Sequence, residues 1–326
     1  MDYKDIVGHE WVVQSLKRAV KNNNISHFYL FEGEEGLGKR TLGRTFAKTL
    51  LCGNKGEEPC NTCSSCMKFD HGNHPDYHEI EPEKGIIKKG QVEEIIRGMS
   101  MSPFQGDRKV FLMDQAHLMN KEAQNAMLKS LEEPPAYVHM ILVTSSPKNL
   151  LPTIMSRGQQ IRFGQIPVSL VADHLVQREG VEMSQAKFLA DFSKGSLGRA
   201  VQLSDSEDFF QLRDWIIDLI DSSIKGESWK IFSAVERFTD EKDRVQELLD
   251  IMLFWFRDLM VYKSTGDMGL VINSDKELLL SEQSFLDFER INGIIKKIQD
   301  TSVNIQLNVN YQLSIETMLF KIQEEF

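Results

Sequence analysis

Two groups of residues in this sequence have the types and spacing to do chemistry. The first is Gly33-Glu34-Glu35-Gly36-Leu37-Gly38-Lys39-Arg40-Thr41. Glycines at these intervals let successive backbone N–H groups close around phosphate oxygens, and the lysine behind them brings a positive charge to the outer phosphates of a nucleotide. That reading needs a strand before the loop and a helix after it. The flanks comply: Phe28 to Phe31 is a short apolar run, and the residues to about Leu50 have helical spacing. Arg40 breaks the pattern. It stands where the motif has Ser or Thr, whose hydroxyl holds a magnesium ion, and Thr41 is one residue on, rotated about 100° around the helix. The usual metal contact is expected to be weak or absent. The second group is Cys52, Cys60, Cys63 and Cys66, spaced C-x7-C-x2-C-x2-C among the turn formers Gly53, Gly56, Pro59 and Asn61. Four closely spaced thiolates suit a tetrahedral zinc ion with no open position, which makes the site structural and not catalytic. His71, His74 and His78 follow closely; as residues of a surface or a strand they need not be ligands.

A third stretch bears on the first. Lys109-Val110-Phe111-Leu112-Met113-Asp114-Gln115-Ala116-His117 reads as a buried strand ending in an acid, so Asp114 fits the metal-binding aspartate of a nucleotide site. Hydrolysing sites of the AAA+ type follow that aspartate with a glutamate that activates water. Here Gln115 holds the place, and an amide cannot take up the proton. Nucleotide binding stays open, and rapid hydrolysis is not expected.

These residues need elements to hold them. The 326 residues suggest two or three domains, and an apolar fraction of 41% supports a globular chain. With 48 acidic against 38 basic side chains the net charge is -10, so a broad phosphate-coating surface is not expected as the main business of the molecule, and any nucleic-acid contact should be local. No run approaches a membrane span, and residues 1–10 carry four charges instead of an apolar signal core. A cytoplasmic protein is expected, with its thiols reduced. All nine prolines lie between Pro59 and Pro167, and the chain changes character there. Before that point Phe28 to Phe31, Tyr77 to Ile80, Val110 to Met113, Met140 to Val143 and Ile161 to Phe163 read as buried strands with helices between them, as in a parallel α/β sheet. Beyond it the spacing is helical. Three parts are expected: an α/β P-loop domain over 1–166 with the cysteine module at about 52–66, a small helical lid over 167–204 containing Gly195 to Arg199, and an all-α domain over 205–326. Within the last, Lys263 to Asp275 is polar and reads as a flexible loop.

The phosphate loop, the cysteine module directly after its helix, and the segments Asn125-Ala126-Met127-Leu128-Lys129-Ser130-Leu131-Glu132-Glu133-Pro134-Pro135 and Leu151-Pro152-Thr153-Ile154-Met155-Ser156-Arg157 together resemble the bacterial clamp-loader subunits of the AAA+ family. They cover most of residues 1–163; the helical remainder matches more loosely, through Gly195 to Arg199 and the 304–319 region. The defects at Arg40 and Gln115 resemble the delta-prime branch and not the tau or gamma motors, whose site is intact. The resemblance implies an AAA+ domain, a lid and an all-helical collar that joins a five-membered ring with tau or gamma and delta subunits, acting with the sliding clamp and primer-template DNA. It implies that Arg157 acts across a subunit boundary on the ATP of a neighbouring motor. It also implies a degenerate nucleotide site of Gly33, Gly36, Gly38, Lys39, Thr41 and Asp114, with Thr144 in the sensor-1 place beside Ser145 and Arg199 in the sensor-2 place. On the residues alone Arg157 is an arginine at a helix end, Thr144 caps a strand, and Arg199 pairs with carboxylates. One position departs from the family: Ser156-Arg157-Gly158 has glycine where the pattern has cysteine.

Two other functions compete with that of a ring member. A self-sufficient ATPase of the tau or gamma type would need the site intact at positions 40 and 115. A nucleic-acid-binding zinc ribbon would interleave basic and aromatic residues among its ligands, and between Cys52 and Cys66 the only basic residue is Lys55.

Overall fold

The five runs form a single parallel sheet in the computed structural model, which describes every residue except Met1, Glu207, Ser228, Asn308 and Phe326; the inner three are buried as expected, whereas β2 is half-buried and β5 mostly exposed. In chain order the elements are α1 (Glu10–Lys21), β1 (Phe28–Glu32), α2 (Lys39–Leu51), α3 (Ser64–Asp70), β2 (Tyr77–Ile80), α4 (Lys89–Met99), β3 (Lys109–Met113), α5 (Lys121–Glu132), β4 (Val138–Thr144), α6 (Pro152–Met155), β5 (Gln159–Arg162) and α7 (Val168–Arg178). The strand order is β2-β3-β4-β1-β5. The register sets Glu32 beside Thr144 and Met113 beside Leu142, so the carboxyl ends of β1, β3 and β4 lie side by side.

Alternation along the strands builds two cores. Tyr29 and Phe31, Val110 and Leu112, and Ile141 and Val143 face one way, under Leu16 of α1 and Leu42 and Phe46 of α2. Phe28 and Leu30, Phe111 and Met113, and Met140 and Leu142 face the other, under Val92 and Ile95 of α4 and Met127 and Leu131 of α5. Both faces are covered, which is why the inner strands read as unbroken apolar runs. The expected strand starts at Met140 and Ile161 move: β4 begins at Val138 and β5 at Gln159. Among the described residues β5 pairs only with β1, and its exposed glutamines hide it from an apolar search.

The chain divides into two compact units, Met1–Arg178 with Ser193–Val201, and Glu179–Phe192 with Gln202–Phe326. The first holds the sheet and the start of α9 (Leu197–Ser204). The second is helical: α8 (Met183–Phe192), α10 (Phe209–Ile224), α11 (Trp229–Asp240), α12 (Val245–Thr265), α13 (Glu277–Gln283), α14 (Phe288–Gln306) and α15 (Tyr311–Gln323). There α12 packs against α10 and α14, and α15 against α14 and α11. Rings of Phe188, Phe192 and Phe209 meet at 5.3 to 6.1 Å, and the buried Trp255 donates to Gln283 Oε1 at 2.9 Å. The expected loose loop after Lys263 is fastened instead. The fully buried Asp258 carboxylate accepts from the backbone N–H of Ile272 (3.1 Å) and Asn273 (2.7 Å), and from the Asn273 side chain (2.8 Å). That polar stretch is a set of turns closed over one carboxylate. No described helix is long and apolar enough to cross a membrane.

Candidate functional site

The phosphate loop leaves the end of β1, and α2 starts directly behind it. Gly36 and Gly38 have φ of +77° and +78°, a left-handed backbone that lets neighbouring N–H groups turn to one side. α2 begins with no side-chain cap and no acidic residue in its first turn, so its leading N–H groups have no carboxylate of their own helix to bind. The Gly-Ser-Leu-Gly-Arg stretch closes on this loop. Ser196 Oγ donates to the carbonyl of Glu35 (2.9 Å), and Gly198 N–H donates to that of Gly36 (2.8 Å). A side chain at Gly198 would meet Gly36 Cα at 2.8 Å, so both glycines are required by the approach.

A cleft of about 420 Å³ opens there, lined by Gly36, Gly38, Lys39, Arg40 and Thr41 of the loop, and by Asp114, Gln115, His117, Thr144, Ser145, Leu197, Gly198 and Val201. Thus Lys39, Thr41, Asp114, Thr144 and two of the three expected glycines come together. Gly33 and Arg199 do not line it: Gly33 donates its N–H to the Thr144 carbonyl (3.3 Å), and Arg199 is half-buried in the first turn of α9. Lys39 is buried and its ammonium bonds the carbonyl of Glu34, while burial holds its pKa below the ordinary lysine value. Thr144 Oγ1 accepts from the N–H of Ser146 (3.1 Å) and also meets His117 Nδ1 (3.3 Å). His117 lines the cleft three residues after Asp114, and sequence reasoning passed over it. Its Nε2 is 3.5 Å from Ser145 Oγ, and burial lowers its pKa. Gln115 sits in the left-handed region at φ 49°, with its N–H on Asp114 Oδ1 (2.9 Å).

Arg40 points at carboxylates. Its Nε donates to Glu79 Oε1 (2.7 Å), Nη2 bonds Glu81, and Nη1 lies 3.8 Å from Asp114 Oδ2. Arg44, one turn along α2, adds a contact to Glu79 at 3.4 Å. Burial raises the Asp114 pKa, with the Gln115 N–H and Arg40 acting against it. Magnesium, which a P-loop site implies, does not fit this donor set. The hydroxyl ligand is missing, and a guanidinium holds the carboxylates that would bind the ion.

The cysteines do converge. Their four Sγ atoms lie within 4.8 Å of one another, where a tetrahedral zinc ion with bonds of about 2.3 Å spaces its sulfurs by about 3.8 Å. The N–H groups of Cys60, Cys63 and Cys66 point at the Sγ of Cys52, Cys60 and Cys63, each at 3.4 Å. Such donors favour thiolate: N–H and hydroxyl groups from Thr62 and Cys63 pull Cys60 down to about 6, whereas burial pushes Cys66 up. The donor set fits a closed metal site. His71, His74 and His78 stay outside it. His74 bonds Ser65 Oγ (2.8 Å) and the Asp76 N–H (3.1 Å), His71 bonds the Met67 carbonyl (2.6 Å), and His78 stacks on Phe111.

Arg157 follows the short α6. Its Nη1 donates to the Thr153 carbonyl (2.6 Å) and Nη2 bonds Glu132 at the end of α5. Two residues later β5 starts, with Gln159 beside Tyr29. Arg157 therefore sits at the amino end of the sheet, and the loop cleft at the carboxyl end.

Comparison with known proteins bears on the chain as a whole. A family described as DNA polymerase III, delta subunit, matches residues 8–167, and its C-terminal counterpart matches 207–324. The DNA polymerase III subunit delta' of Bacillus subtilis is 28% identical over 96% of this chain and 95% of its own length. The tau/gamma subunit of Haemophilus influenzae is 32% identical over 62% of this chain, which spans only 30% of that relative. Among solved structures, the RuvB Holliday junction branch migration motor of Thermotoga maritima matches 62% of each chain at 19% identity and a TM-score of 0.44. Both halves matching in chain order, with a delta' relative aligned almost end to end, the chain belongs to the family of DNA polymerase III clamp-loader subunits as a homologue of delta'.

Proposed function

We propose that this chain is a ring member of the clamp loader that hydrolyses no ATP rapidly by itself and presents Arg157 to the ATP of a neighbouring subunit while the sliding clamp is loaded onto primed DNA. The observation that carries this reading is the position of Arg157 relative to its own cleft. From the level of Tyr29 to the loop at Gly33 is four residues of strand, about 13 Å at roughly 3.3 Å per residue. An arginine so placed serves a nucleotide only in another chain, where its charge would stabilise the phosphate being transferred. The cleft supports the other half of the reading, because Gln115 supplies no base and Arg40 no metal ligand.

In this account the chain works in the cytoplasm with tau or gamma motors and a delta subunit. Its parts are the P-loop domain over 1–166, the lid over 167–204 and the collar over 205–326, which carries the ring contacts. Cys52, Cys60, Cys63 and Cys66 hold a structural zinc ion. The ion does no chemistry on substrate, because four thiolates leave it no open position. Gly33, Gly36, Gly38, Lys39, Thr41, Asp114, Thr144 and Arg199 are the inherited, degenerate nucleotide site.

ATP turnover of the isolated chain tests the non-motor half. Turnover far below about 1 per second is expected, and Gln115→Glu alone should not restore it while Arg40 remains. A wild-type rate in the range of about 1 to 100 per second common for phosphoryl-transfer enzymes contradicts the proposal and favours a motor.

A further inference from the structure

We infer that Arg40 is the resident cation of the loop cleft, so that the cleft takes the diphosphate of a nucleoside with no divalent metal ion. The inference deepens the reading of the cleft as a non-hydrolysing nucleotide site, and rests on it.

Three carboxylates converge at the carboxyl ends of β2 and β3. Asp114 directly follows β3, and Glu79 and Glu81 lie in and just after β2. In a P-loop site an acid at the place of Asp114 would hold magnesium together with a hydroxyl at position 40. Here position 40 carries its own charge into the same space: Nε is 2.7 Å from Glu79 and Nη1 3.8 Å from Asp114, with Glu81 bonded to Nη2. Arg44 adds a second guanidinium on Glu79 at 3.4 Å. A divalent ion entering here would lose its hydroxyl ligand, displace a guanidinium from its carboxylates, and sit against that displaced charge. Magnesium is excluded by a group that cannot be deprotonated.

The anion-binding parts remain. The loop keeps its left-handed glycines and the uncapped start of a 13-residue helix, and the buried Lys39 is attached only to a carbonyl of its own loop among the described contacts. Leu197 and Val201, one helical turn apart, form an apolar wall, and His117, Thr144 and Ser145 a polar one. A cleft of about 420 Å³ is within the range of roughly 300 to 1,000 Å³ of small-ligand sites. With Asp114, Glu79 and Glu81 each within reach of a guanidinium, a diphosphate meets the loop N–H groups and the Lys39 ammonium, with Glu35 a further acid in the lining.

Calorimetric titration of the full chain with ADP, once in EDTA and once in magnesium, tests the inference. Equal affinity in both, within about twofold, is expected. Arg40→Ser should weaken metal-free binding by about tenfold or more and regain it with magnesium. Lys39→Ala should lose binding under both conditions, which assigns the signal to this cleft. Wild-type binding that needs magnesium, or no ADP binding in either buffer, overturns the inference. Rapid ATP turnover by the isolated chain would instead overturn the non-motor reading beneath it, so the two failures are separable.

Discussion

A Cβ added at position 158 would lie 2.9 Å from Cε1 of Phe28 and 3.1 Å from Cζ. This is the one place where the Leu151 to Arg157 segment runs into a departure from the clamp-loader pattern, glycine for cysteine, and the ring explains it. Phe28 is buried beneath the turn and fills the room a larger residue would need. Gly158→Cys should therefore lower stability by about 1 to 3 kcal/mol, the usual result of overpacking. It should cost less in a Phe28→Leu background, because two residues in contact do not add. Urea unfolding of the four proteins measures both effects; an unchanged midpoint in Gly158→Cys alone would mean that the ring moves aside freely. The glycine was legible in the sequence only as a departure, since its cause lies 130 residues away at the start of β1. The charge of Arg40 could be read as a lost metal ligand. Its grip on Glu79, Glu81 and Asp114 could not, because β2 and β3 are brought together by the sheet.

Among the elements, α2 does two jobs. Its first turn carries the loop, and Lys48 in its last turn reaches into the cysteine module. The buried Lys48 ammonium donates to Asn61 Oδ1 (2.6 Å), between Cys60 and Cys63, and to both oxygens of Asp70 (2.7 and 2.8 Å) at the end of α3. A metal ion that stiffens the module therefore braces the helix behind the loop. Reduced, unchelated protein should carry about one zinc ion per chain, as a closed four-thiolate site does. Cys66→Ser should destabilise the sheet-bearing unit by on the order of 3 kcal/mol or more, a fraction of the roughly 10 to 16 kcal/mol of zinc-finger peptides. Metal analysis without stoichiometric zinc would refute this. The cysteine spacing announced the cluster because its ligands are local in sequence. The three inner strands β1, β3 and β4 were legible for a related reason, burial on both faces, although strand ends were not. Polar residues at the ends of β4 and β5 are paired by neighbours that the local sequence does not name. The stretch after Lys263 misled because a polar composition looks loose, and its fastening is one buried carboxylate, Asp258, on the preceding helix.

For the whole molecule, the account turns on a chain whose own cleft lacks the usual base and hydroxyl ligand, at Gln115 and Arg40, and whose Arg157 lies at the opposite end of the sheet. Arg157 is about a third exposed and its partner Glu132 half exposed, so the pair is worth at most about 1 kcal/mol, and Arg157→Ala should fold and assemble normally. An arginine finger contributes on the order of 10³ to 10⁵ in rate at the site it serves. Only one motor site would face this subunit, so the assembled ring should lose that site's share and keep the rest. The decisive measurement compares DNA-stimulated ATP turnover and clamp loading in reconstituted complexes containing wild type or Arg157→Ala, matched for assembly by size exclusion. Lower turnover and slower loading with Arg157→Ala is the predicted result. Equal turnover and equal loading would contradict the account and leave the chain a scaffold without a finger.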